Sequence, residues 1–83
     1  KKEKSIMQLE YTVKGGGVLR GFTKEDIAYA LYELSLAPSS SFQDWLQDTA
    51  SRINVQFGYT IRHEYPHHFV DDLTRHGLIM RSV

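Results

Sequence analysis

The chain contains no cysteine, which removes disulfide staples, thiolate nucleophiles and thiolate metal ligands at one stroke. That usage fits a reducing compartment, so the expected location is cytoplasmic. No apolar run approaches the ~20 residues that a membrane-spanning helix needs, and no segment reads as a signal peptide. A surplus of either charge is also missing, with ten basic and ten acidic residues. A dedicated nucleic-acid binder of this size normally carries a clear positive balance, because phosphate contacts dominate its affinity. There are only two prolines and one tryptophan, no internal repeat and no low-complexity tract.

What is present is an ordinary globular composition, 41% hydrophobic and 24% charged over 83 residues. A chain of that size buries roughly 60–65% of its unfolded surface, so one efficient core is required. Residues 1–5 are expected as a flexible N-terminus and residues 6–83 as a single compact α+β domain. The charge is polarised along the chain: residues 1–21 carry +3, residues 22–51 carry −4 and residues 52–83 carry +1. All four histidines fall in the last segment.

Residues 6–14 alternate, with Met7, Leu9, Tyr11 and Val13 on one side and Gln8, Glu10, Thr12 and Lys14 on the other. That period of two predicts a strand with one buried face. Gly15-Gly16-Gly17 then suits a hairpin turn into a short strand at 18–20. A phosphate-cradling loop is the other use of clustered glycines. It needs a Lys-Ser/Thr pair opening a helix, or spaced glycines there, and neither is present.

Thr23 is a natural N-cap, with Asp26 three residues on as its capping-box partner and Phe22 placed to pack against Ile27. The helix should run to about Leu36, before Pro38, with Ile27, Ala30, Leu31 and Leu34 inward. A second helix is expected from Phe42 to Val55, capped by the serines at 39–41 and closed by Gly58. Its core stripe is Phe42, Trp45, Leu46, Thr49, Ala50 and Ile53. Residues 59–63 read as a strand. Pro66 opens a third helix that buries Phe69, Val70 and Leu73 and ends at Gly77. Residues 78–83 read as a final strand.

The expected order is therefore β(β)ααβαβ, a small three- to four-stranded mixed sheet with three helices packed on one face. Strand 59–63, the third helix and strand 78–83 would form a right-handed βαβ unit. The opposite sheet face would be polar and open, carrying Gln8, Glu10, Thr12, Thr60, Arg62 and Arg81.

The one catalytic-looking motif is His63-Glu64-Tyr65-Pro66-His67, a literal H-E-x-x-H. A zinc peptidase needs both histidines one turn apart on a single helix, with the glutamate reaching the metal-bound water. Pro66 inside the motif would cost a helix interior roughly 3 kcal/mol, so His63 belongs to the preceding strand and His67 to the following helix. His63 and His67 remain the nearest approach to metal ligands, and no metal or cofactor is expected. Surface pairing is the simpler role for the histidines: His67–Asp71, His68–Asp72 and Asp72–His76 are all four apart on one helix. No triad or nucleophile elbow is present, so no catalysis is expected.

Two binding surfaces compete. Glu25, Tyr29, Tyr32 and Leu36 form a stripe away from the core face of the first helix, a suitable protein-interface anchor unless the second helix covers it. Nearby acidic residues Glu33, Asp44 and Asp48 would favour a basic partner. The rival is a nucleic-acid face built from Lys14, Arg20, Arg62 and Arg81 with the basic N-terminus. The expected function is a non-catalytic binding module, a protein-binding inhibitor, adaptor or regulator of the kind phage and mobile elements encode. A nucleic-acid-binding regulator is the alternative, and a histidine-based metal site or hydrolase a distant third. Pairing of an open edge strand could join two copies into a dimer.

Overall fold

A computed structural model of the protein describes residues 8–35 and 41–82. The expected flexible N-terminus (residues 1–5), Met7, Leu36 and Pro38 lie outside them. The first strand, β1 (Leu9–Val13), pairs antiparallel with β2 (Val18–Gly21). In that register Tyr11 faces Leu19, and both are buried. The turn between them has all three glycines at positive φ, backbone that side chains adopt only under strain.

Helix α1 (Lys24–Leu34) begins where the sequence places its cap. Thr23 Oγ1 accepts the Asp26 N–H at 3.1 Å, and Asp26 Oδ2 accepts the N–H of Thr23 at 3.2 Å and of Phe22 at 2.9 Å. Phe22 itself stays 57% exposed instead of packing away with Ile27. Leu34 is half-exposed too, although its side chain lies over Gly17, where an added Cβ would come within 2.9 Å of Leu34 Cδ2.

Helix α2 (Phe42–Phe57) is capped by the Ser41 hydroxyl at its start and by Gly58 in the left-handed conformation at its end. It outlasts the expected end at Val55 by two residues. The expected stripe is inward, with Trp45, Leu46 and Ala50 buried and Phe42, Thr49 and Ile53 partly so. Helix α3 (Pro66–Arg75) starts on its proline. It ends in a Schellman arrangement, with the Gly77 N–H on the Thr74 carbonyl and the Leu78 N–H on the Leu73 carbonyl.

The third strand, β3 (Ile79–Arg81), pairs antiparallel with β1, giving the order β2-β1-β3. The described residues thus form a small α+β fold with three helices and three strands. Helices α1 and α3 pack on the sheet, and α2 packs on those two. Phe69, Leu19, Ile27, Leu46, Ile79 and Val70 are the largest fully buried side chains.

The structure corrects the topology in one place. Residues 59–63 alternate in burial as a strand does, with Ile61 buried between exposed Thr60 and Arg62, yet they join no sheet. Side chains hold this segment instead. The Tyr59 carbonyl accepts Asn54 Nδ2, the Arg62 N–H donates to Asp72, and the His63 carbonyl accepts Gln43 Nε2. Without that strand the sheet is antiparallel throughout instead of mixed, and the βαβ crossover disappears.

Candidate protein-binding face

Helix α1 turns its aromatic side toward the start of α2. Tyr29 and Tyr32 have ring centroids 5.6 Å apart, and Phe42 stands edge-on to both at 5.2 and 5.5 Å. Trp45 completes the group, 5.5 Å from Tyr32 and 5.6 Å from Phe69 in the core. The first turn of α2 therefore covers Tyr32, which packs against the core, while Tyr29 remains 48% exposed. Of the expected stripe, Tyr29 is the outward anchor and Tyr32 its support. Glu25 is tied to His67 Nδ1 at 3.2 Å, and Leu36 lies outside the described residues.

Among the described residues, four cations are paired within the fold: Arg20 with Glu10 at 3.1 Å, Lys24 with Asp71 at 2.5 Å, and Arg62 and Arg75 with Asp72. The Lys24 ammonium is held above the usual lysine range, chiefly by its hydrogen bond to Asp71. Glu33, Asp44 and Asp48 are exposed, and their carboxylates have no ionic partner among the described residues. Glu33 lies one turn beyond Tyr29 on the same side of α1.

The residues of the nucleic-acid alternative do not share one face. Lys14 is exposed in the glycine turn, and Arg20 projects from the open side of the sheet beside Glu10. Arg62 stands outside the sheet altogether, clamped on Asp72. Arg81 pairs with Tyr11 in the register, so it belongs to the helix side and not to the open side. That open side is also less polar than expected. Val18 and Met80 flank Thr12 across the strands and are 48% and 63% exposed.

Pro66 splits the H-E-x-x-H sequence as its chemistry requires, leaving His63 in the irregular segment and His67 in the first turn of α3. Among the described residues no three His, Asp or Glu side chains are grouped to hold a metal ion. The expected helical pairs are replaced by contacts from other elements. Asp71 takes Lys24, Asp72 takes Arg62, His67 takes Glu25, and His76 stacks on Tyr59 at 4.1 Å. Spacing of four places two residues on one helix face, but a nearer or stronger donor from another element wins the carboxylate.

Sequence reasoning missed the Asp72 clamp. Asp72 is buried, and it accepts Arg62 Nε, Arg62 Nη2 and the Arg62 N–H, all at 2.8–2.9 Å. Those bonds hold its carboxyl down at about 2, against the opposing effect of burial. The signal was available: Asp72 falls between Phe69, Val70 and Leu73 on the buried side of α3, where a charge needs a partner.

No protein-family model, curated protein or solved structure matches this chain.

Proposed function

We propose that the protein is a non-catalytic binding module whose α1–α2 face receives a basic surface of another protein. The observation that carries this reading is Tyr29, half-exposed on a cluster with the Tyr32, Phe42 and Trp45 rings and one helical turn from Glu33, whose carboxylate has no ionic partner among the described residues. A tyrosine held this way loses little conformational freedom on binding, and such anchors dominate interface energetics. The carboxylates of Glu33, Asp44 and Asp48 would steer a cationic partner and make association salt-dependent.

The same arrangement disfavours the nucleic-acid alternative, since Arg20 and Arg62 already have carboxylate partners. An inhibitor, adaptor or regulator fits a small domain with one such face. Glu33→Lys reverses a charge that has no ionic partner among the described residues, so it separates binding from stability. Immobilised protein should retain a discrete partner from a nuclease-treated extract of its native host. Glu33→Lys and Tyr29→Ala should lose that partner while keeping the wild-type circular dichroism. Retention unaffected by both substitutions, or retention only of nucleic acid in an untreated extract, would count against the reading.

A further inference from the structure

The helices pack on one side of the sheet and leave the other to the solvent. Tyr11 and Leu19 are buried on the helical side, so Glu10, Thr12, Val18, Arg20 and Met80 turn to the open side. Among the described residues nothing covers them: Thr12, Val18, Arg20 and Met80 are all exposed. Two rows cross the strands there. In one, Val18 and Met80 flank Thr12; in the other, Arg20 stands opposite Glu10. Lys14 lies past the end of β1, outside both rows.

The polar groups of this face are matched to one another. Arg20 Nε donates to Glu10 Oε1 at 3.1 Å, and the Thr12 and Ser82 hydroxyls lie 2.6 Å apart. Groups already bonded leave less unsatisfied when water is removed, so the face can be covered at a modest cost. Its two rows hold one acid, one base and two exposed apolar side chains. That pattern is its own complement. A two-fold axis running along the strands, between β1 and β2, sets each Arg20 over the Glu10 of the other copy. It also sets each Val18 over the other copy's Thr12, because both pairs are direct partners in the register. Two sheets stacked this way run nearly aligned, the common sandwich geometry. A partner surface of one charge sign would instead meet a like charge at Glu10 or at Arg20.

We propose that the open side of the sheet docks a second copy of this chain, through reciprocal Arg20–Glu10 pairs flanked by Val18 and Met80. A three-stranded face is small beside a standard interface, so the dimer is weak and forms reversibly. Tyr29 lies in the helical layer, on the far side of the sheet. The dimer therefore leaves both aromatic faces open and offers two of them to a partner with repeated sites. Dimerisation itself does not depend on what Tyr29 meets.

The test is sedimentation equilibrium of the purified protein from micromolar to millimolar concentration. The wild type should show a reversible monomer–dimer equilibrium within that range. Glu10→Arg leaves each face with two bases and Arg20→Glu with two acids, so each variant repels its own copies. Each should associate roughly tenfold more weakly than the wild type. An equimolar mixture of the two variants should recover the association, since unlike faces then meet. Met80→Lys, at a side chain 63% exposed, should weaken it as well while keeping the wild-type circular dichroism. A wild type that stays monomeric throughout, a Met80→Lys protein that dimerises as tightly as the wild type, or a mixture no more associated than its components would each overturn the proposal.

Discussion

Arg62 grips Asp72 with both edges of a fork and with its own backbone: Nε and Nη2 each lie 2.9 Å from a carboxylate oxygen, and the main-chain N–H lies 2.8 Å away. One buried carboxylate thereby fixes a segment that no sheet holds, and places Ile61 over the core. Asp72→Asn keeps the shape but loses the charge, and is expected to destabilise the fold by about 2–3 kcal/mol. Chemical denaturation of both proteins at neutral pH measures this directly; equal midpoints would mean that the clamp is ornamental.

The same clamp sets an acid dependence. The Asp72 carboxyl titrates at about 2 in the fold, lowered first by its hydrogen bonds to Arg62, against 3.8 ordinarily. A depressed carboxyl contributes stability that is full above its unfolded value and is lost as pH falls toward the folded one. The contribution is roughly 2 kcal/mol above pH ~4, fading between pH ~4 and ~2. Denaturation midpoints measured down that range should fall in the wild type and fall less steeply in Asp72→Asn.

Gly21 is a second structural pivot. A Cβ there would run into Asp26 Cβ, the residue whose carboxylate caps α1. Gly21→Ala should therefore cost about 1–3 kcal/mol through crowding at the helix start. Thr23→Ala, which removes only the reciprocal cap bond, should cost about 1 kcal/mol. Thermal melts of the two variants should rank in that order, and a neutral Gly21→Ala would contradict the packing described.

Much of this architecture was legible in the chain. Thr23 and Asp26 announce their helix because capping is local chemistry, and the same holds for Ser41, Gly58, Pro66 and Gly77. The inward stripe of α2 follows from the helical period alone. What did not follow was pairing at a distance. The alternation of residues 59–63 specifies an extended chain with Ile61 inward, but not whether a strand or a set of side chains satisfies its backbone. The histidine spacings failed for a related reason: a helix fixes which residues share a face, while Lys24, Glu25 and Arg62 arrive from elsewhere. The Tyr29/Tyr32 stripe was half legible, since only packing decides that Phe42 and Trp45 cover one ring and leave the other.

His63 and His67 sit in different local structures, so they offer zinc no shared face. Added zinc is expected to leave the melting midpoint unchanged. A saturable rise that vanishes in His63→Ala and His67→Ala would show a metal site instead.

The acidic, tyrosine-anchored face is the centre of the account, and site-specific photocrosslinking tests it most directly. A photoreactive phenylalanine analogue placed at Tyr29 is compared in native-host cells with the same group at Val55. Val55 is 84% exposed on α2, more open than Tyr29 at 48%, so random collisions favour Val55. The account predicts a discrete protein adduct from position 29 that Glu33→Lys abolishes and position 55 does not give. Equal or stronger labelling from position 55, or adducts at 29 indifferent to Glu33→Lys, would contradict it.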